Sequence, residues 1–212
     1  TELLPQAKKT ARFIGRFPFV RFVGISGSLS KGYADENSDF DFFIITASNT
    51  LWICRTLLHL FKKMTFLTRR QHHFCMNYFV DEDHLSLEEK NIFTRIELST
   101  LIAVYNKPMY HLLLYKNQDK LPNLGRLPYN EQEAFQLLER RRNRKHGDSK
   151  LIIALNHFLM KLTDYKWRRK WKRKNYPMED YSLAFKTTPY VSKNHPKNYQ
   201  KKVMTHLNHI SS

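Results

Sequence analysis

The chain has 212 residues, of which 42% are apolar and 14% aromatic, and it carries a formal net charge of +17. A chain of this length and apolar content can bury a sizeable core, which excludes an intrinsically disordered protein. Its only cysteines, Cys54 and Cys75, offer neither a disulfide framework nor a zinc site, and they predict buried thiols in a reducing compartment.

The start of the chain and its hydropathy bear on the setting of the protein. The sequence begins at Thr1, without a methionine and within a helix-like segment, which suggests a fragment of a longer protein. It contains no apolar run long enough to span a bilayer and no signal peptide, so we expect a cytoplasmic location.

The first strong pattern is a turn that follows a predicted strand. Residues 19–25 form an apolar run rich in β-branched and aromatic side chains. The run ends at Gly27-Ser28, where glycine lets the backbone turn sharply and leaves amide groups open to a ligand. Those amides and the Ser28 hydroxyl can hold phosphate oxygens.

A second predicted strand covers residues 39–45. Side chains two apart on a strand share a face, so Asp39 and Asp41 point one way while Phe40 and Phe42 point into the core. Two carboxylates on one edge suit Mg²⁺, and two such ions can serve an in-line phosphoryl displacement. A solvated loop followed by an ordinary strand is the weaker interpretation, because an apolar strand has no structural use for this acidic pair.

These residues carry a family resemblance. Gly27-Ser28, then ten residues, then Asp39-x-Asp41, with a strand on each side, resembles the signature of the DNA polymerase beta nucleotidyltransferase superfamily in its small bacterial form. The resemblance implies transfer of a nucleoside monophosphate from a triphosphate to a hydroxyl acceptor. It also implies that Asp39 and Asp41 bind metal and that Gly27 and Ser28 grip the triphosphate. The likeness is specific over residues 19–46, and looser over residues 74–80 and 121–123.

The sequence departs from the family at the third acidic position. Active members carry another carboxylate on a later strand, which helps to activate the acceptor hydroxyl. Here a predicted helix over residues 51–66 leads to a predicted strand over 74–80 that has Asn77, and an amide cannot take a proton at neutral pH. Asp81 and Asp83 would substitute if the chain curls back, although a surface turn is the better interpretation of these two. An enzyme and a catalytically impaired nucleotide-binding module both stay open.

The remainder of the chain is predicted to be mostly helical. Residues 85–105 predict one helix that packs on the sheet, with Ser86 as its cap. The prolines and glycine of residues 121–128 predict a boundary between a nucleotidyltransferase-like domain, residues 1–125, and a helical basic region, residues 126–212. Further helices are predicted over residues 130–145, 150–174 and 196–210. The expected fold class is α/β (α+β), with a short mixed sheet, flanking helices and a helical C-terminal region.

Positive charge is concentrated in residues 140–174, which hold fourteen Lys and Arg against two acids, whereas residues 1–139 hold seventeen against fifteen. Within the basic run of residues 166–174, Trp167 and Trp171 share a helix face. This pattern suits RNA or DNA with base stacking, or an anionic membrane surface. It suits equally well a helix whose indoles pack on neighbours under a solvated charged rim. Upstream, a core-facing stripe is predicted from Leu151, Leu155, Phe158, Leu159 and Leu162.

Overall fold

One mixed β-sheet organises the chain, and helices cover both of its faces. The computed structural model of the protein describes residues 3–35, 38–65, 75–88, 92–118, 130–142 and 149–194. The elements in these ranges are, in chain order, α1 (Leu3–Ile14), β1 (Val20–Ser26), α2 (Gly27–Ser30), β2 (Asp41–Thr46), α3 (Leu51–Thr65), β3 (Cys75–Asp81), α4 (Ile92–Thr100), β4 (Ile102–Tyr105), α5 (Lys107–Tyr115), α6 (Glu131–Arg142), α7 (Lys150–Arg173), a 3-10 turn (Met178–Asp180), α8 (Tyr181–Ala184), β5 (Phe185–Thr187) and β6 (Val191–Asn194).

The strands lie in the order β4-β1-β2-β3-β6-β5. β2 and β3 run parallel, because the connection through α3 carries the chain back to the end of the sheet at which β2 begins. The other neighbouring pairs are antiparallel. This arrangement confirms the predicted fold class. The strands predicted around the motif are β1, β2 and β3, and α3, α6 and α7 are the helices predicted in the corresponding segments.

The sheet separates two apolar clusters, since successive side chains of a strand point to opposite faces. On one face, Phe42 and Ile44 of β2 belong to a cluster with α1 and α3. On the other face, Phe43 and Ile45 belong to a cluster with α4 and α5. Phe40 and Phe42 are buried, as predicted. Burial on both faces fixes β2 at the centre of the fold and so positions its first residue.

The single helix predicted over residues 85–105 is wrong. The chain forms α4 and then β4, which pairs with β1. Helix α4 ends where the hydroxyls of Ser99 and Thr100 both donate to the carbonyl of Ile96. The β-branched residues that follow cover the open edge of β1, and pairing with a distant strand outweighs the helical pattern of the local sequence.

The C-terminal part of the chain contains strands as well as helices. β5 and β6 extend the sheet beyond β3, so the expectation of a wholly helical region missed them. The boundary predicted over residues 121–128 and the helix predicted over 196–210 lie outside the described residues. Strands from both sides of that boundary nevertheless belong to one sheet.

The side of helix α7 that packs on the protein is not the side that its leucines predict. The side facing α3 carries Asn156, whose Oδ1 accepts a 2.7 Å hydrogen bond from the N–H of Trp52 in the first turn of α3. That N–H has no partner within its own helix, so capping by a distant amide and the packing of Trp167 together set the rotation of α7. The predicted core-facing stripe is wrong, because Leu159 is only partly buried and the other members are exposed: Leu151, Leu155, Phe158 and Leu162.

The two tryptophans of the basic run pack within the protein. Trp171 is 5% exposed, its ring centroid lies 5.3 Å from that of Phe185, and its Nε1–H donates to the carbonyl of Pro177 at 2.9 Å. Trp167 packs between Trp52 and Phe185. Both indoles therefore pack on neighbouring side chains, as the structural alternative expected, and they do not form a platform for bases or lipid headgroups.

Both cysteines are free thiols. Burial raises the pKa of Cys54 to about 12, and burial together with the charge of Asp41 raises that of Cys75 to about 11. Thiols that resist ionisation in this way are poor nucleophiles. In the part of the chain that the structure describes, no helix has both the length and the apolar character needed to cross a bilayer.

Candidate functional site

The two halves of the predicted motif meet where β1 and β2 pair. Ser26 lies opposite Asp41 in the ladder, so the turn that begins at Gly27 lies beside the carboxyl group of Asp41. Gly27 has a φ of +70°, and a Cβ added to it would collide with Asp41 Oδ2 and lie 3.0 Å from Asp41 Cγ. Glycine is required here both by the backbone conformation and by the close approach of the acid.

The turn is braced by its own side chains. Ser30 Oγ and Lys31 Nζ both donate to the carbonyl of Gly27, at 2.9 and 3.1 Å. The carbonyl of Ser28 accepts from the N–H of Tyr33 at 3.0 Å. These bonds occupy the carbonyls, whereas the first N–H groups of α2 have no acceptor within the helix. The turn therefore presents N–H groups that can donate hydrogen bonds to phosphate oxygens, next to the carboxyl group of Asp41.

Asn77, the residue tentatively assigned to the third position, lies beside Asp41. The parallel pairing of β2 with β3 puts Asp41 opposite Cys75, and Asn77 Nδ2 donates to Asp41 Oδ1 at 2.5 Å. The amide thus fixes one oxygen of the acid while the other, Oδ2, faces the Gly27 turn.

Asp41 is costly to ionise. Its pKa is raised from 3.8 to about 7, first because burial disfavours the charged form and then because Asp39 and Glu97 add like charge. The thiol of Cys75 and the ammonium group of Lys31 lower the pKa by less. The strand predicted over residues 39–45 begins two residues later than expected, at Asp41, so Asp39 lies outside β2. Its charge still acts on Asp41.

Glu97 is a carboxylate at this site that the sequence did not reveal. It lies on α4, its charge acts on Asp41, and it lines a small pocket of about 40 Å³ together with Ser26 and Asn77. Its Oε1 accepts a 2.6 Å hydrogen bond from Lys31 Nζ, the same group that reaches the carbonyl of Gly27. Nothing in the local pattern distinguishes Glu97 from a solvated helix acid, because only the packing of α4 on the sheet decides what it faces.

Asp81 and Asp83 do not supply the missing acid. Asp81 lies at the far end of β3, opposite Thr46, whereas Asp41 pairs at the near end. Asp81 is 1% exposed and accepts from the N–H groups of Asn49 and Asp83 at 2.7 and 2.8 Å. A turn role is therefore right for Asp81 but a surface position is wrong, because main-chain donors satisfy it inside the protein. A larger cavity of about 690 Å³ also lies at that far end, away from Gly27 and Asp41.

Asp39 and Asp41 are the residues that would hold a divalent cation. Their carboxylate oxygens are the donors that Mg²⁺ prefers, and a cation would relieve the like charges that raise the pKa of Asp41. Among the described residues, no group of three His, Cys, Asp or Glu side chains is placed to enclose a metal. A cation here would therefore complete its ligands with water and substrate phosphates, as Mg²⁺ commonly does.

The cations of the basic run divide into two kinds. Arg168 is part of the fold, because its Nε donates to Asp164 Oδ2 at 2.7 Å and its guanidinium lies 4.6 Å from the ring centroid of Tyr181. The other basic side chains of the run are exposed: Lys166, Arg169, Lys170, Lys172, Arg173 and Lys174. The surface of the basic run therefore presents positive charge but no exposed indole.

Comparison of the chain with protein-family models, with curated proteins and with solved structures gives no match. A functional assignment therefore rests on the geometry of the site and on the motif resemblance alone.

Proposed function

We propose that the protein binds a nucleoside triphosphate with a divalent cation where Gly27 meets Asp41, and transfers the nucleoside monophosphate to a hydroxyl acceptor. The observation that carries this proposal is the contact between the Gly27 turn and the carboxyl group of Asp41, because it joins a phosphate-type turn to an acidic strand end. The resemblance to the nucleotidyltransferase superfamily over residues 19–46 agrees with it.

The roles follow from the contacts of each group. Asp39 and Asp41 would hold Mg²⁺, which when bound offsets the charge of the triphosphate. The N–H groups of the turn and the Ser28 hydroxyl would bind the β and γ phosphates. Asn77 holds Oδ1 of Asp41, which keeps Oδ2 aimed at the turn where those phosphates would lie.

Glu97 is the residue that we propose as the third carboxylate. It shares the pocket of Asn77, and a carboxylate, unlike an amide, can accept the proton of an acceptor hydroxyl. The Lys31 bond to Oε1 positions the side chain and leaves Oε2 as the atom to take that proton. Glu97 would then perform from a helix what the family places on a strand.

The binding test uses thermal unfolding with each of the four triphosphates, with and without Mg²⁺. At least one triphosphate should raise Tm only when Mg²⁺ is present, since a ligand that binds the folded state stabilises it. The variant carrying Asp39→Asn and Asp41→Asn should lose this shift, while Glu179→Gln, an exposed acid on the 3-10 turn, should keep it. An undiminished shift in the double variant would refute the site.

A second candidate is a binding module that has lost transfer activity. Asn77 in place of a strand carboxylate favours this candidate, because it occupies the position next to Asp41. Pyrophosphate release with hydroxyl acceptors separates the two. An enzyme should release pyrophosphate and lose that release, but not triphosphate binding, in Glu97→Gln. A protein that binds triphosphate with Mg²⁺ and releases none would be the module.

The exposed cations of the basic run suggest the nature of the acceptor or partner. They lie on a segment that holds most of the net charge of the chain, whereas residues 1–139 are nearly neutral. We propose that this surface binds RNA or DNA, because contacts to closely spaced phosphates need charge alone, whereas interfacial membrane binding also uses exposed apolar side chains such as the indoles, which are packed here. Binding would be through phosphates alone, without base stacking.

A further inference from the structure

Arg55, on α3, is buried under aromatic rings on the face of the sheet opposite the nucleotide site. Arg55 is only 6% exposed. Its guanidinium carbon lies 4.6, 5.6 and 6.0 Å from the ring centroids of Trp167, Trp52 and Phe79, respectively. Phe79 belongs to the cluster that packs with α1 and α3, whereas Glu97 is carried by α4 on the other side. The two places are therefore separated by the sheet.

The buried guanidinium has no anionic partner among the described residues. Its Nε donates to no acceptor, and the interactions that the structure gives it are contacts with the three rings. A guanidinium keeps its charge in proteins, and a charge taken out of water without a partner is strongly unfavourable. Cation–π contact offsets only part of that cost, since it supplies no hydrogen-bond acceptor.

His59 repeats the same feature one helical turn further along α3, on the same side. Its Nε2 is buried and has no hydrogen-bond partner in the part of the chain that the structure describes. Burial lowers the pKa of His59, and the charges that lower it further are all positive: Arg55, Lys62 and Lys63. Among the described residues, the charges that act on His59 are therefore positive.

Arg168 shows what a completed version of this arrangement looks like in the same protein. It too lies 4.6 Å from a ring centroid, that of Tyr181, but its Nε donates to Asp164 at 2.7 Å. Tyr181 and Thr187 hold the same carboxylate. Arg55 has a similar ring contact but no carboxylate like Asp164 among the described residues, so an anion from solution could take that position.

We propose that Arg55 and His59 form a binding site for a small phosphate-type oxyanion, either inorganic phosphate or the phosphate group of a soluble monoester. The three rings supply no acceptor for the Nε–H of Arg55, and a guanidinium edge can bind two oxygens of one anion, the geometry in which Arg binds phosphate. His59 Nε2 supplies a further donor, and the clustered cations favour a doubly charged anion over a carboxylate. The narrow exposure of Arg55 admits a small ion rather than a bilayer surface.

The test is a titration of the purified protein with inorganic phosphate, without Mg²⁺, against chloride at equal ionic strength, followed by thermal unfolding and calorimetry. Wild-type protein should bind phosphate saturably with a rise in Tm, and acetate should bind more weakly. Arg55→Lys keeps the charge but loses the fork of donors, so it should weaken binding about tenfold or more. Lys107→Met, which removes an exposed cation on α5, should bind as the wild type does. The variant with Asp39→Asn and Asp41→Asn should also bind normally, which distinguishes this site from the nucleotide site.

A second variant keeps the idea testable if Arg55→Lys fails to fold. Because a charge without a partner destabilises the folded state, Arg55→Met should be at least as stable as the wild type in phosphate-free buffer and should gain nothing from phosphate. The inference is overturned if phosphate has no effect on the wild type beyond that of chloride, or if Arg55→Met responds to phosphate as the wild type does.

Discussion

Replacing Asp41 with asparagine should stabilise the protein above neutral pH and have little effect in acid. The substitution keeps the shape of the side chain and an Oδ1 that can still accept from Asn77 Nδ2. It removes a carboxyl group whose ionised form is disfavoured first by burial and then by Asp39 and Glu97. The difference between the variant and the wild type should therefore depend on pH.

The sign and size follow from proton linkage. In the folded protein the pKa of Asp41 is about 7, whereas its ordinary value is 3.8, so between these values the folded state binds more protons than the unfolded chain. The stability that Asp41 contributes is thus complete below about pH 4 and is lost as pH rises to about 7. At about 1.4 kcal/mol for each unit of pKa, the loss has an upper limit of about 4 kcal/mol, which water entering the site would reduce.

Urea unfolding of the wild type and Asp41→Asn at intervals between pH 4 and pH 8 measures this difference. Asp41→Asn should gain relative stability steadily across the interval, and half of the upper limit, about 2 kcal/mol, corresponds to roughly 4–8 °C in Tm for a chain of this size. Mg²⁺ should stabilise the wild type at pH 8 and leave Asp41→Asn unchanged. A difference between the two proteins that is constant from pH 4 to pH 8 would refute the reasoning about burial and like charge.

Four further outcomes can be checked on the same protein. Gly27→Ala should abolish Mg²⁺-dependent triphosphate binding because its methyl group collides with Asp41, whereas Gly32→Ala, at a φ of +77° with open space around it, should cost only about 1–2 kcal/mol of backbone strain and keep binding; equal behaviour of the two would contradict the close-approach argument. Glu97→Gln should leave triphosphate affinity unchanged while pyrophosphate release falls at least about a hundredfold, the lower end of general-base contributions, and unimpaired release would exclude Glu97 as the base. Trp171→Ala should lower the free energy of unfolding by about 3–5 kcal/mol in urea titrations, and a loss below about 1 kcal/mol would mean that the indole is not packed as described. Polyanion binding should fall with salt at a logarithmic slope of about 0.7–0.9 per phosphate contacted, and it should be lost, with triphosphate affinity and Tm unchanged, when four exposed cations are reversed to glutamate: Arg169, Lys170, Lys172 and Arg173.

Arg168 is left out of that reversal for a structural reason. Its ion pair with Asp164 and its contact with Tyr181 belong to the packing of α7 against the C-terminal elements. Reversing its charge would place two carboxylates together and disrupt this packing. Polyanion binding would then be lost through unfolding and not through the loss of positive charge. A loss of binding in the four-residue variant at unchanged Tm is informative because that variant avoids this contact.

The turn at Gly27 and the buried strand that begins at Asp41 could be predicted from the sequence because their signals are local. Glycine at a sharp turn, then an acidic pair at the start of an apolar strand, needs no knowledge of the rest of the fold, since strand alternation alone orients Asp41 against the buried Phe40 and Phe42. The long helices α3 and α7 and the mixed α/β class were equally accessible from periodicity. The position of Asn77 beside Asp41 followed from assuming that the two predicted strands are neighbours.

What tertiary structure alone decided is which side of each element meets which partner. Residues 102–105 became a strand because β1 had an open edge, and Glu97 entered the site because α4 packs on the face that carries Asp41. Helix α7 buried Asn156 and Trp171 and left most of its predicted apolar stripe exposed, because the amide of Asn156 caps the first turn of α3 through Trp52. These outcomes depend on hydrogen bonds and packing between residues far apart in the chain, and a window of sequence holds only one partner of each such pair.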